Sequence, residues 1–463
     1  MNQKYNIFLV CPPTPYPLLS HIFYTTSIIP PLGIGYLSSY LNKMIGIKAL
    51  LLNLYPGLKN KNTFLNLIKE HKPKIIGFSV MTETFKNGVR LAKIVKDNFP
   101  GIITIFGGPH VTFTDIETLE NYPFIDIIVR GEGENTFLEL TEKILSGRRD
   151  FSDIKGITFR LEDKIIRNKG REFIRDLDKL PFPDRDIIDI DGYFSVVKPV
   201  QMVITSRGCP GACRFCAATA MSGGIFRLRS IDNVMEEILE ITYRKDEKNI
   251  FFGDDTITAN LDRFLKLIKE LKKHNIKWNA ESRVDIITRE LCKEMKESGC
   301  IALQFGVESG SQEILDRMNK RITLNQIENA VKWAREFGIK VVCSMMMGIP
   351  GDTPETIKET IKFAAKLQSK YGAYVVLGCT VPYPGTYISR YPAKVGIKKV
   401  NENDYDFYNT DNPIMDLDYT SASEIRKYFY DASKIIINTI SKERLEEIKK
   451  VLKIALKIQS LYF

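Results

Sequence analysis

A chain of 463 residues exceeds what one hydrophobic core ordinarily holds, so two or three domains are expected. A hydrophobic fraction of 44% with 26% charged residues is that of a folded, water-soluble protein and excludes a disordered or fibrous chain. The net charge of +10 is spread over scattered lysines without a compact arginine and aromatic platform, so nucleic acid is not an expected partner.

Residues Tyr5 to Asn42 contain no Asp, Glu, Lys or Arg, which invites a leader or membrane reading. Pro12, Pro13, Pro15, Pro17, Pro30 and Pro31 interrupt the stretch, so no apolar span of about 20 residues survives and no transmembrane segment is expected. Ile7–Cys11 is also too short for a leader and lacks a small-residue cleavage site. Lys4–Val10 reads instead as a buried strand, followed by a helix over Ile34–Met44 and a strand over Ile47–Leu54. A helix around Phe64–Glu70, strand Lys74–Met81, helix Asn87–Asn98 and strands Ile102–Phe106 and Ile125–Val129 complete residues 1–145. This alternation predicts an α/β domain, a doubly wound parallel sheet with ligand loops at the carboxyl ends of its strands.

The small and polar residues gather at those ends: Ser79 and Thr82, then Gly107, Gly108 and His110, then Gly131, Glu132 and Gly133. Glycines there let a backbone approach a large flat ligand. Pro-Pro-Leu-Gly at 30–33, Gly-Phe-Ser-Val-Met-Thr at 77–82, Gly-Gly-Pro-His at 107–110 and Arg-Gly-Glu-Gly-Glu at 130–134 together resemble the cobalamin-binding domain fused to many radical S-adenosylmethionine (SAM) enzymes. That resemblance implies cobalamin as the ligand of those eight residues. The D-x-H-x-x-G motif that supplies a histidine beneath cobalt is absent; Asn53-Leu54-Tyr55-Pro56-Gly57 stands after the second strand. The radical SAM branch commonly lacks that histidine, and His110 is expected to touch corrin side chains or the nucleotide tail. The alternative is a sheet of the same shape that has lost its cofactor and clamps substrate.

Residues 146–195 read as a linker with a small hairpin, Lys155–Arg160 followed by the turn Glu162-Asp163-Lys164. Leu180-Pro181-Phe182-Pro183-Asp184-Arg185 suits neither helix nor central strand and is taken as the domain boundary.

After the strand-like run Val200–Ile204, Thr205-Ser206-Arg207-Gly208 introduces Cys209-Pro210-Gly211-Ala212-Cys213-Arg214-Phe215-Cys216. Clustered thiols belong in a reducing, cytoplasmic compartment. Three thiolates on one short loop can hold three irons of a cubane cluster and leave the fourth open. Structural zinc is the alternative, but it wants four ligands. None of His21, His71, His110 and His274 is near in sequence, and Cys292 and Cys300 sit far along in a helical pattern. The loop resembles the C-x3-C-x-aromatic-C signature of radical SAM enzymes, with Phe215 at the aromatic position. The resemblance implies Cys209, Cys213 and Cys216 as ligands of a [4Fe–4S] cluster and SAM on the open iron.

Six strand-like runs follow, Gln201–Thr205, Asn249–Phe252, Lys277–Ala280, Ile301–Phe305, Lys340–Met346 and Tyr374–Thr380, with helical patterns between them. They predict a partial (β/α)6 barrel over residues 196–385, whose chemistry collects at the carboxyl ends of the strands. The family resemblance places SAM near Gly253, Asp254 and Asp255 after the second strand, Arg283 after the third, and Glu308 and Ser309 after the fourth. Read from chemistry alone, Asp254 or Asp255 could cap a turn, and Arg283 could form a salt bridge with Glu281 or Asp285. Cys343 and Cys379, in the fifth and sixth strands, are either apolar filler or hydrogen donors facing the barrel. Gly348-Ile349-Pro350-Gly351-Asp352-Thr353 and Pro382-Tyr383-Pro384-Gly385-Thr386 also resemble turns of this family.

Residues 386–463 read as a mostly helical region: loops over Lys398–Asp411 and Asp416–Thr420, then helices over Ser421–Ser441 and Glu443–Ser460. The last is basic and amphipathic and is expected on the barrel, with a membrane surface as the alternative.

The combined resemblance implies a cobalamin-dependent radical SAM enzyme that cleaves SAM to a 5′-deoxyadenosyl radical and methylates an unactivated carbon. It also implies a small-molecule or peptide substrate and an electron donor such as flavodoxin or ferredoxin. Two rivals are the same apparatus used for oxidative cyclisation, as in anaerobic magnesium-protoporphyrin cyclase, and a redox sensor without turnover.

Overall fold

A computed structural model describes residues 4–14, 30–54, 61–189, 200–245 and 247–440, with Leu445, Glu446 and Lys449 beyond them. The described residues up to 189 belong to one compact unit and those from 200 onward to a second.

The first unit is built on an eight-stranded sheet of β1 (Ile7–Cys11), β2 (Leu50–Asn53), β3 (Ile75–Ser79), β4 (Ile103–Gly107), β5 (Ile127–Val129), β6 (Ile157–Leu161), β7 (Lys164–Arg167) and β8 (Ile187–Asp189). Their order is β7-β6-β5-β4-β3-β1-β2-β8. Ile7, Phe8, Leu9 and Val10 are all buried, without alternation, because helices cover both faces of a central parallel strand. The chain runs outward from β1 in two directions, to β2 on one side and β3 on the other. The switch-point crevice therefore lies outside Cys11 and Ser79.

Residues 146–189 do not stand apart as a linker. β6 and β7 form the expected hairpin, but it extends the sheet antiparallel to β5, while β8 pairs with β2 at the opposite edge. Both additions cover edges that would otherwise leave backbone groups unpaired. The proline-stiffened segment lies along helix Leu32–Ile45, with Asp184 N donating to Gly35 O at 3.1 Å. Lys48 reinforces it by pairing with Asp184 and Asp186.

The second unit carries a parallel six-stranded sheet. β9 (Gln201–Val203) is followed by a ribbon of β10 (Ser206–Arg207) and β11 (Arg227–Leu228). The sheet continues with β12 (Asn249–Phe252), β13 (Lys277–Ser282), β14 (Cys300–Glu308), β15 (Lys340–Met347) and β16 (Tyr374–Cys379). The strands lie side by side in chain order, each joined to the next through helical crossovers, and β9 and β16 are the open edges. This is the partial barrel.

Burial alternates along its strands. Trp278, Ala280 and Ser282 of β13 are buried on the helix side, while Asn279 and Glu281 occupy the inner face. The same alternation favours apolar filler over inward hydrogen donor for Cys343 and Cys379. Cys343 lies with Val341, Met345 and Met347 in the core beneath the helices, and Cys379 is in register with Met347. Burial pushes both thiols up to about 12, and both are apolar filler. Cys292 and Cys300 share that core, and Cys300 begins β14 rather than continuing a helix.

Where a charged loop was expected, β17 (Ile397–Val400) and β18 (Met415–Leu417) form a hairpin whose Ile397, Met415 and Leu417 are buried. Helix Ala422–Asn438 then packs on helix Pro354–Tyr371. The expected helix over 443–460 lies, but for three residues, outside the described chain.

Candidate active site

The cysteine loop is seated by its own backbone and by a distant turn. Gly208 opens it at φ 90°, a conformation that favours glycine, against Ile225 and Ser222. Inside the loop Cys216 N donates to Cys213 O at 3.2 Å, and Thr219 Oγ1 holds Gly211 O at 2.9 Å. Arg214 N donates to Met318 O at 3.1 Å, its Nη1 to Arg317 O at 2.8 Å, and Asn319 Nδ2 donates to Ala212 O at 2.9 Å. Ile388 N closes the far side on Arg214 O at 3.2 Å, with the Arg214 guanidinium over the Tyr387 ring.

Cys209, Cys213 and Cys216 are free and half-buried. Burial raises the Cys209 and Cys216 thiols, Cys216 to about 11, and the charges of Asp255 and the sister cysteines add to it. Without metal these thiols stay protonated, so loading iron must release protons. Among the described residues no three His, Cys, Asp or Glu side chains gather closely enough to ligate one ion. A cubane instead spreads three thiolates over three irons, and this donor set fits it. Cys292 and Cys300 cannot complete a zinc site, since Cys300 starts β14 and the cysteine loop sits beyond the carboxyl end of β9.

Around the loop, the strand ends carry mixed assignments. Gly253 lies under the end of the Met202 side chain, which would have to swing aside for a Cβ there. Asp254 is 2% exposed and accepts from Thr205 N at 3.1 Å, Thr205 Oγ1 at 2.9 Å and Ser206 Oγ. It ties the end of β12 to that of β9. Asp255 is exposed, and its charge reaches Cys209, Cys216 and Glu281. Arg283 realises the salt-bridge alternative through Nε and Nη2 on Asp285, at 3.0 and 2.9 Å, and Nη2 also donates to Lys320 O at 3.0 Å. Ser309 is fully buried, bonded to Thr360 Oγ1 at 3.0 Å and accepting from Ser311 N, so it braces helix Pro354–Tyr371 rather than meeting SAM. Glu308 is held by Lys320 at 2.7 Å.

Sequence reasoning passed over Asn319 and Lys320 entirely. They follow an ordinary amphipathic segment, and only the fold brings them to the cysteine loop 107 residues earlier. Glu281 was weighed only as a partner for Arg283. Burial, Asp255 and Glu308 raise its carboxyl to about 7 against the opposing pull of Lys320.

In the first unit, the rim of the sheet presents backbone and small residues. Ser79 and Gly107 end β3 and β4. Gly108 has φ 104°, and a Cβ there would lie 2.5 Å from Val80 O. Thr112 Oγ1 ties the two glycine loops together, donating to Gly108 O at 2.9 Å and accepting from Gly131 N at 3.0 Å. Gly131, at φ 73°, faces open space, and Met81 is exposed at the head of helix Thr82–Asn98. Such a bare crest suits a broad planar group such as corrin.

Four expected contacts are committed elsewhere. His110 is 1% exposed, its Nδ1 3.1 Å from Thr82 Oγ1 and its ring 4.1 Å from that of Phe85. Burial lowers its pKa to about 3, so the imidazole is neutral and packed within the domain. Thr82 is buried with it. Glu132 accepts from Ile174 N at 2.8 Å and anchors the returning chain, and Gly133 packs on Leu37.

The fold and site define a radical SAM enzyme joined to a cobalamin domain. Residues 203–364 match the model of the radical SAM superfamily, and residues 23–141 that of the B12 binding domain. An uncharacterised methyltransferase of Pyrococcus horikoshii is 34% identical over 98% of each chain. The anaerobic magnesium-protoporphyrin IX monomethyl ester cyclase of Rubrivivax gelatinosus is 28% identical over 86% of this chain and 71% of its own. The radical SAM methyltransferase TsrM of Kitasatospora setae, solved with cobalamin and a [4Fe–4S] cluster, shares the fold. Its TM-score is 0.70 at 15% identity, covering 95% of this chain and 90% of that one. The chain belongs to the cobalamin-dependent radical SAM methyltransferase family, and its cofactors are a [4Fe–4S] cluster, SAM and cobalamin.

Proposed function

We propose that this enzyme methylates an unactivated carbon of a small-molecule or peptide substrate, with Cys209, Cys213 and Cys216 as cluster ligands. The observation that supports it most is the loop itself: three half-buried thiols on eight residues, at the carboxyl rim of an open six-stranded parallel sheet. When bound, the cluster and SAM supply radical chemistry and cobalamin supplies an activated methyl group. The chain's own residues hold and shield these groups. Asp255 is suited to an ammonium group, and Arg283, with Nε and Nη2 committed to Asp285, offers Nη1 to a carboxylate. Phe215 packs against the core of the second unit, and Gly253 offers bare backbone at the end of β12. Asp254 and Ser309 act by fixing the strand ends on which those groups stand. Ser79, Gly107, Gly108 and Gly131 are the proposed cobalamin cradle, with His110, Thr82, Glu132 and Gly133 behind it.

Asn279, Glu281, Gln304 and Ser344 give the inner face of the sheet a polar lining, and Gln304 Nε2 donates to Ser344 Oγ at 3.2 Å. A substrate with hydrogen-bonding groups fits it better than a plain hydrocarbon. Eight free thiols fit a reducing cytoplasm, where flavodoxin or ferredoxin would deliver single electrons. Among the described residues no helix is long and apolar enough to cross a membrane.

Anaerobic reconstitution tests the reading. The wild type should bind iron and sulfide and cleave SAM under reduction, and Cys213→Ala should abolish both; unchanged cleavage in that variant would sink it. The similarity to the cyclase favours a second reading, oxidative ring closure without methyl transfer. SAM carrying a deuterated methyl group separates the two, because only methylation carries the label into product.

A further inference from the structure

Resting on the cluster reading above, we propose that the Glu308–Lys320 ion pair is the electrostatic element that sets the cluster's reduction potential. Lys320 is its positive end, aimed at the cysteine loop. Lys320 Nζ is 2.7 Å from Glu308 Oε1 and 5.9 Å from the centroid of the Phe215 ring, between ligands Cys213 and Cys216. Both side chains are nearly buried, at 10% and 12% exposure. The turn that carries Lys320 is bound to the same loop, through Met318 O on Arg214 N and Asn319 Nδ2 on Ala212 O. Burial, helped by the Arg283 charge, would pull the Lys320 ammonium down, but Glu308 and Cys213 in its thiolate form raise it.

The surroundings are shaped for this pair. Glu308 and Arg321 take left-handed backbone, at φ 66° and 57°, which side chains of their kind adopt uncommonly, whereas Asn319, at φ 55°, is of a type that visits that region readily. A Cβ on Gly306 would press on the Glu308 carboxylate and lie 2.8 Å from Lys320 Nζ, so the bare backbone there leaves room for the pair. A buried ion pair is a poor source of stability. Two residues held in uncommon backbone beside a desolvated pair therefore point to a role other than holding the fold.

That role follows from charge. One-electron reduction places an additional negative charge on the cluster, and a fixed, desolvated cation beside it favours the reduced form. Glu308, 2.7 Å from Lys320 Nζ, partly neutralises the cation. Removing Lys320 should make reduction harder, and neutralising Glu308 should make it easier.

The test is an electron paramagnetic resonance-monitored titration of the full, reconstituted chain with dithionite and mediators, without SAM, beside iron and sulfide analysis. Lys320→Met is expected to shift the midpoint to more negative values and Glu308→Gln to less negative ones. Lys320→Arg should stay near the wild type. Opposite shifts at unchanged iron content cannot come from a merely structural role. If Lys320→Met fails to fold, the near-isosteric Glu308→Gln carries the test alone. Midpoints equal to the wild type, or shifts of the same sign, overturn the proposal while leaving the cluster reading intact. A wild type that binds no iron overturns the cluster reading first, and this one with it.

Discussion

Asp352 shows how a single residue can look catalytic and be structural. It sits in the Gly-Ile-Pro-Gly-Asp-Thr turn after β15, 2% exposed, accepting from Ile349 N at 2.9 Å and Thr356 Oγ1 at 2.8 Å. Burial raises its pKa to about 7, well above its unfolded value of 3.8. A group whose folded pKa is the higher one stabilises the fold when protonated. Its contribution is complete below the unfolded pKa and disappears as pH rises through 7. Between pH 5 and pH 8 the wild type should lose on the order of 1–3 kcal/mol through this group. Asp352→Asn should flatten that slope in thermal melts; an equally steep slope would show that Asp352 does not carry it. At this scale the motif was legible and the role was not. Asp254, Ser309 and His110 follow the same pattern: each stands where a ligand contact is expected, and each is consumed by a neighbour.

Element by element, the central strands of both sheets were readable because their periods differ, with unbroken apolar runs in β1 and β3 and alternation in β13 and β15, whereas three-residue β8 and the helix Glu134–Leu145 went unread. The hairpin of β17 and β18 went unread too, because four and three residues among charges leave too short a pattern. The docking of helix Ala422–Asn438 also belongs to this scale. Gln368 Nε2 reaches across from helix Pro354–Tyr371 to Ile436 O and Thr439 Oγ1, both at 2.7 Å, satisfying a carbonyl in the last turn. Gln368→Ala should cost about 1–3 kcal/mol. It should lower hydrogen-exchange protection over Ala422–Asn438 while that of helix Leu324–Glu336 holds; equal loss in both would mean the bond is not specific to the docking.

At the scale of the molecule, each unit has its own hydrophobic core, one around β1 and β3, the other around β13 to β15. Ligands of one unit should therefore stabilise that unit. Cobalamin at about 100 times its dissociation constant adds on the order of 3 kcal/mol to the fold that binds it. Adding it should raise the melting transition reported by the first unit, and chelating the iron should lower that of the second. A single transition that moves with both treatments would show the units to be one cooperative fold.

What the sequence alone determined is the chemistry of the centre and the class of both sheets. Three cysteines on eight residues, and two periodic strand–helix series, are local patterns that no distant contact can hide. The tertiary structure decided which polar side chains remain available beside that centre. It turned Asp254 and Ser309 into the scaffold, sent Cys343 and Cys379 to the helix side of the sheet, and brought Asn319 and Lys320 against the cysteine loop. The reason is physical: a strand's alternation decides which face a side chain takes, while its partners come from segments a hundred residues away that spacing cannot reveal.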